Sequence, residues 1–121
     1  MKILLAEDDH HVAVIMKLCL EKIGQHEVVH AEDGEIAVNC AVAQAFDLII
    51  LDGMMPKKNG LIVAQELRSI GNTTPVIFLT AKADEPAYQT LGAGYIAKPF
   101  EPTLICARID EIMAQFRARG A

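Results

Sequence analysis

The chain has 121 residues and a net charge of −5, and its length suits one compact domain over residues 1–121. Its lysines and arginines form no basic stripe, which argues against direct binding to nucleic acid. The three cysteines lack the spacing of a metal site or a disulfide framework, and no apolar stretch approaches the ~18 residues of a membrane span, so we expect a cytoplasmic protein with no membrane contact.

Five short apolar runs alternate with amphipathic segments along the chain, near residues 2–6, 27–30, 47–51, 75–79 and 94–97. The third and fourth runs are apolar without alternation, as expected for central strands that helices cover on both faces. Apolar residues at helical spacing indicate helices around 12–23 and 105–116. The sequence therefore predicts an α/β fold, a (βα)₅ doubly wound parallel sheet of five strands in the flavodoxin-like order 2-1-3-4-5.

Reactive side chains follow four of these runs, at the carboxyl ends of the predicted strands. In such sheets the ligand site lies outside the carboxyl ends, so we expect these side chains to share one edge. They are Glu7, Asp8 and Asp9 after the first run, Asp52 after the third, Thr80 after the fourth and Lys98 after the fifth. The second run, which ends in His30, is expected to be peripheral.

Three acids gathered at one edge, Glu7, Asp8 and Asp52, would repel one another unless a cation lay among them. Mg²⁺ is the natural candidate because it binds through carboxylates and keeps several waters, whereas a soft metal prefers cysteine or histidine. Once that charge is screened, Asp52 could act as a nucleophile on phosphorus, with Lys98 and Thr80 contacting the added group. These residues thus predict Mg²⁺-dependent phosphoryl transfer to Asp52.

Several short motifs occur together in a recognisable order and spacing. They are LLAEDD at 4–9, LDGMMP at 51–56 followed by NG at 59–60, LTA at 79–81 and YIAKPF at 95–100. Through these motifs the sequence resembles the receiver domains of bacterial two-component response regulators over essentially its whole length. The resemblance implies a phosphorylation switch rather than an enzyme, with self-catalysed phosphoryl transfer and autodephosphorylation only.

The resemblance also implies a role for each acid. Asp52 is implied as the phosphoacceptor, which takes its phosphoryl group from a histidine kinase or a histidine phosphotransfer protein. The implied Mg²⁺ ligands are Glu7 through a bound water, Asp8 and Asp52 directly, and the backbone carbonyl of Met54. Gly53, Met54 and Lys82 are expected to influence the lifetime of the phosphoaspartate by controlling the access of water.

On the opposite side of the site, the resemblance implies phosphate contacts and a switch. The phosphate contacts come from Thr80, Ala81 and Lys98. Thr80 is expected to move towards the phosphoryl group while Tyr95 turns inward behind it, and the Lys98–Pro99 peptide is expected to be cis. The simpler interpretation of Tyr95 is an ordinary strand aromatic with a solvated hydroxyl, but the switch role is favoured.

The spacing between Thr80 and Lys98 departs from the family pattern, because it is about one helical turn, ~four residues, shorter than expected. The segment 83–91 leaves room for a shortened fourth helix of about two turns. In the family this region carries the signal-dependent surface and a common dimer interface. The output face and the oligomeric state therefore do not transfer with the site.

Simpler interpretations exist for some of these residues. Asp9 is best explained as the N-cap of the first helix. His10 and His11 lie next to the acids, but exposed histidines in a first helical turn are favoured over a transition-metal site.

Three other functions are compatible with parts of this pattern. A Mg²⁺-dependent phosphohydrolase would need an acid two positions after the nucleophile, where this chain has Met54. A flavin-phosphate site would be repelled by the acids at 7–9. A phosphorylation-independent interaction module remains the alternative. The domain either acts alone on a downstream protein partner or belongs to a longer regulator with an output domain.

Overall fold

Five strands and five helices alternate in the structure, a computed structural model that describes residues 1–81 and 86–120. The strands are β1 (Lys2–Ala6), β2 (Glu27–Ala31), β3 (Leu48–Asp52), β4 (Val76–Thr80) and β5 (Gly94–Ala97). The helices are α1 (His10–Lys22), α2 (Gly34–Ala43), α3 (Gly60–Ser69), α4 (Pro86–Leu91) and α5 (Ile105–Gly120), with a 3₁₀ turn at Pro102–Leu104. All strand pairs are parallel in the order β2-β1-β3-β4-β5, which confirms the predicted doubly wound, flavodoxin-like sheet.

The sheet divides the apolar core into two clusters, one on each face. Successive strand residues point to opposite faces, so Ile3 and Leu5 join α1 and α5, whereas Leu4 and Ala6 join α2 and α3. Every residue of β3 and β4 is buried, as their continuously apolar sequences predicted. The central strands are therefore rigid supports for the residues that follow them.

Side-chain caps fix where three helices begin. Asp9 accepts hydrogen bonds from the backbone N–H groups of His11 and Val12, which confirms its expected role as the N-cap of α1. Asp33 and Asn59 cap α2 and α3 in the same way, each accepting an N–H bond from the residue three positions later. These caps start each helix close to the carboxyl edge of the sheet.

The fourth helix is short, as predicted, with six residues from Pro86 to Leu91. The earlier part of the segment assigned to it, together with Lys82, lies outside the described residues. Arg68 of α3 donates to the carbonyl of Leu91 at 3.2 Å and so ties the end of α4 to α3. Within the described ranges, no helix combines the length and the apolar character needed to cross a membrane.

Candidate functional site

The register of the parallel strands brings the predicted site residues to one edge. Asp52 pairs with Leu79, and Thr80 pairs with Ala97. The ladder continues one step past the strands, because the N–H of Gly53 donates to the Leu79 carbonyl at 2.8 Å and the N–H of Lys98 donates to the Thr80 carbonyl at 2.9 Å. The backbone on both sides of Asp52 and Thr80 is thereby fixed.

Three acids meet at this edge, as the sequence predicted. Glu7 is 1% exposed and Asp52 2%, whereas Asp8 is exposed to solvent. One carboxylate oxygen from each lies within 4.8 Å of the others, which is the only such group of three metal-ligating side chains among the described residues. The arrangement offers oxygen ligands, which hard cations such as Mg²⁺ prefer.

The electrostatics of Glu7 support that fit. Burial is the main cause that raises the pKa of Glu7 to about 8; a hydrogen bond that protonated Glu7 donates to Asp52, and repulsion by the Asp52 charge, raise it further. Glu7 Oε1 accepts from the N–H of Asp9 at 3.1 Å, but when Glu7 is ionised its buried Oε2 has no donor among the described residues. A buried carboxylate oxygen without a donor is costly unless a proton or a cation reaches it.

Lys98 supplies the positive charge that balances Asp52. Its Nζ lies 2.8 Å from Asp52 Oδ1, and the same oxygen accepts from the N–H of Met54 at 3.0 Å. The Lys98–Pro99 peptide bond is cis. One oxygen of Asp52 is therefore held by two donors, which fixes the orientation of the carboxylate.

An open pocket of about 680 Å³ lies in front of these residues. Its polar end is formed by Glu7, Asp8, Asp52 and Lys98, and Ala81 and Met54 also line it. Met54, two residues after Asp52, is 74% exposed. The pocket is therefore large enough for a small ligand to reach the acids and Lys98 together.

Thr80 and Tyr95 lie behind the pocket rather than in its lining. Thr80 is buried at the end of β4, and Tyr95 is half-buried on β5. Tyr95 packs against the apolar cluster that contains Phe78, its register partner on β4. His10 and His11, by contrast, are exposed in the first turn of α1.

Two residues near the site were missed by sequence reasoning. His30 Nε2 lies 2.8 Å from the Glu7 carbonyl, so β2 contacts the site although it is an edge strand. His30 is the register partner of Leu5, two residues before Glu7, and this pairing is known only from the fold. Tyr88 on α4 is buried with its hydroxyl close to Gly53, and nothing in the sequence around it indicated this contact.

Comparison with known proteins identifies this arrangement. The family description "Response regulator receiver domain" matches residues 3–110. The chain belongs to that family. Accepting a phosphoryl group is the general function of such receiver domains, which are not classical enzymes.

This receiver domain is 37% identical over 117 residues to the alkaline phosphatase synthesis transcriptional regulatory protein PhoP of Bacillus subtilis. The match covers 93% of this chain and 48% of that protein. It thus spans about half the length of the curated relatives it matches. Among solved structures, a Francisella response regulator receiver domain has a TM-score of 0.82 at 28% identity, covering 98% of both chains. The response regulator TrrA of Thermotoga maritima, solved in complex with Mg²⁺ and BeF, has a TM-score of 0.80 at 28% identity, covering 92% of this chain and 97% of that one.

Proposed function

We propose that this receiver domain, over residues 1–121, takes a phosphoryl group on Asp52 from a histidine kinase or a histidine phosphotransfer protein. The observation that carries the proposal is the buried Asp52 carboxylate, which is paired with Lys98 at 2.8 Å and opens onto a pocket beside two further acids. The transfer is catalysed by the domain itself, through positioning and charge neutralisation.

In the proposed reaction an oxygen of Asp52 forms a bond to phosphorus while the bond from phosphorus to the donor nitrogen breaks, and the donor imidazole leaves. Lys98 and the N–H of Met54 aim the carboxylate by holding Oδ1. Lys98 is half-buried at the pocket edge, so its ammonium can pass from Asp52 to a phosphoryl oxygen without leaving the site. Ala81 lines the same pocket and is assigned a phosphate contact through its backbone.

The acids would hold the metal ion. Glu7, Asp8, Asp52 and the backbone carbonyl of Met54 are the proposed ligands of Mg²⁺, which when bound supplies positive charge to the acids and to the phosphoryl oxygens. With that positive charge nearby Glu7 would be ionised, because the cation would stabilise its buried Oε2 in place of a proton. Asp9 stays outside the ligand set because its carboxylate caps α1.

Thr80 and Tyr95 are proposed as the switch. Once Asp52 carries a phosphoryl group, the Thr80 hydroxyl donates to it, and Tyr95 turns towards the space behind Thr80. Both residues lie on neighbouring strands, with Thr80 buried and Tyr95 half-buried, so a small shift of one changes the packing of the other.

The signal would pass to a downstream protein partner or to an output domain in a longer regulator. Direct contact with nucleic acid or with a membrane is not proposed for these residues, because Lys and Arg form no basic stripe and the net charge is −5. The proposed compartment is the cytoplasm, where the donor kinases present their phosphohistidines.

The test uses acetyl phosphate as a small phosphodonor, with intact mass as the readout. With Mg²⁺ the wild-type protein should gain the mass of one phosphoryl group, and Asp52→Asn should gain none. Asp47→Asn is the matched control, because Asp47 is an exposed acid just before the opposite end of the same strand. A folded wild-type protein that gains no mass would instead support a phosphorylation-independent interaction module.

A second variant separates acceptance from switching. Thr80→Ala should still gain the phosphoryl mass, because the acceptor and the acids are unchanged. It should lose the phosphorylation-dependent response of its partner. Full partner response in Thr80→Ala would contradict the proposed switch while leaving the acceptor assignment intact.

A further inference from the structure

Tyr88 is a buried aromatic residue near the middle of the short helix α4. It is 5% exposed, and its ring packs on that of Phe78 with centroids 4.9 Å apart and planes tilted by 58°. Ring pairs in this geometry are more favourable than the area they bury would suggest. Tyr88 therefore anchors α4 to the sheet at β4, two residues before Thr80.

The hydroxyl of Tyr88 reaches the edge of the phosphorylation site. A methyl group placed on Gly53 would lie 2.8 Å from that hydroxyl, 3.4 Å from the Leu79 carbonyl and 3.6 Å from the Thr80 hydroxyl. Any larger residue at position 53, directly after Asp52, would force this hydroxyl to shift, and glycine leaves room for it. The phenol thus ends between the carboxyl ends of β3 and β4, next to Thr80.

Tyr95 shares this space. Phe78 and Thr80 are two positions apart on β4 and point to one face, and Tyr95 on β5 is the register partner of Phe78. Tyr88 and Tyr95 accordingly belong to the same apolar cluster, in which Tyr88 is buried and Tyr95 is half-buried. Because protein interiors are close-packed, a Tyr95 ring that turned inward towards Thr80 would compete with the Tyr88 ring for this space.

We propose that Tyr88 is a positioning residue of the switch, whose ring fills the space beside Thr80 before phosphorylation and leaves it when Tyr95 turns inward. The inference rests on the proposed function, since it assumes that Asp52 is phosphorylated and that Thr80 responds. A helix of six residues makes such a movement feasible, because short helices depend on their packing contacts for stability. The departure of Tyr88 would change the exposed surface of α4.

The composition of the chain allows each ring to be followed separately. The sequence contains two tyrosines and no tryptophan, so Tyr95→Phe leaves Tyr88 as the source of tyrosine fluorescence. We expect acrylamide to quench this signal weakly in the free protein and several-fold more strongly after phosphorylation with acetyl phosphate and Mg²⁺. Intact mass, measured on the same sample, reports phosphorylation independently.

Intact mass and acrylamide quenching together distinguish failure of the inference from failure of the proposed function. A phosphoryl mass gain without any change in Tyr88 quenching would overturn the inference and leave the proposed function standing. Absence of a mass gain in Tyr95→Phe and in the wild type would overturn the proposed function, and the inference with it.

A second set of variants tests whether the ring itself is responsible. Tyr88→Phe keeps the ring and leaves Tyr95 as the remaining tyrosine. Before phosphorylation, acrylamide should therefore quench Tyr95 in this variant as it quenches a half-buried tyrosine. In Tyr88→Leu the space is opened, and Tyr95 should become protected from acrylamide before any phosphorylation. Gly53→Ala should act in the same direction, because the added methyl group would displace the Tyr88 hydroxyl.

Leu91→Ala is the control for general weakening of α4, because Leu91 is a half-buried residue of the same helix. It should leave the protection of Tyr95 unchanged. If Tyr88→Leu and Leu91→Ala altered Tyr95 to the same extent, Tyr88 would be a structural residue only and the inference would be wrong.

Discussion

Replacing Glu7 with glutamine should remove a pH dependence of stability that the Mg²⁺-free protein carries. Burial, followed by the hydrogen bond to Asp52 and the repulsion from it, raises the pKa of Glu7 to about 8, whereas the unfolded chain has a pKa of about 4.3. Between these values the folded protein holds a proton that the unfolded chain has released. The stability contribution is therefore complete below the unfolded pKa and is lost as the pH rises through the folded pKa.

The size of the effect follows from the number of protons involved. One proton held only by the folded state lowers the free energy of unfolding by about 1.4 kcal/mol for each unit of rising pH. From pH 5 to pH 7 the wild type should lose about 2–3 kcal/mol that the glutamine variant keeps. Glutamine resembles protonated Glu7, because its oxygen can accept from the N–H of Asp9 and its amide can donate to Asp52.

Urea unfolding in the presence of a chelator, at intervals from pH 5 to pH 8, measures this difference directly. The wild type and Glu7→Gln should have similar stability at pH 5 and diverge as the pH rises. Glu21→Gln is the control, since Glu21 is an exposed acid on α1 and should leave the wild-type dependence unchanged. Parallel curves for wild type and Glu7→Gln across the range would refute the assigned ionisation of Glu7.

The other predictions concern the partners of this site and its supports. Lys98→Ala removes the ion pair of the buried Asp52 carboxylate. In urea titrations of the Mg²⁺-free protein it should lower the free energy of unfolding by about 1–3 kcal/mol. Asp33→Ala removes the N-cap of α2, and the hydrogen bond from the backbone N–H of Ile36 is the main cause that lowers the Asp33 pKa. The variant should therefore melt at a lower temperature than wild type at neutral pH. This difference should disappear as the pH falls through the lowered pKa of Asp33. Ile50→Ala opens a cavity in the fully buried β3 and should cost about 2–5 kcal/mol by the same urea assay, with phosphorylation by acetyl phosphate retained in the protein that remains folded.

The parts of the site that were predictable from the sequence are those fixed by strand ends. In a parallel sheet the carboxyl ends of neighbouring strands share an edge, so residues that follow buried apolar runs must be close together. This reasoning alone brings Asp52, Thr80 and Lys98 to one place, and the register of β3, β4 and β5 agrees with it. Asp9 was also predictable, because capping depends on local sequence.

The remaining features depend on distances and burial that a sequence does not contain. Glu7 and Asp8 are adjacent acids, yet one is buried with a raised pKa and the other is exposed. The contact of Tyr88 with Gly53 depends on where α4 lies on the sheet, and a shortened helix carries no local signal for that position. The sequence predicts a peripheral place for the second run, but the His30 side chain reaches the Glu7 carbonyl, which only the fold reveals.

The shortening of α4 leaves the proposed phosphorylation chemistry intact for a structural reason. Asp52 and Lys98 are fixed by strand backbones, through the Gly53 bond to Leu79 and the Lys98 bond to Thr80. By contrast, the contacts described for α4 include the ring of Tyr88 on Phe78 and the Arg68 bond to the Leu91 carbonyl, both of which involve side chains. Loss of a helical turn therefore changes the surface around α4 without moving Asp52 or Lys98. Because the Tyr88 hydroxyl still lies beside Gly53, the shortened helix remains in contact with the site, and a change at Asp52 can still reach that surface.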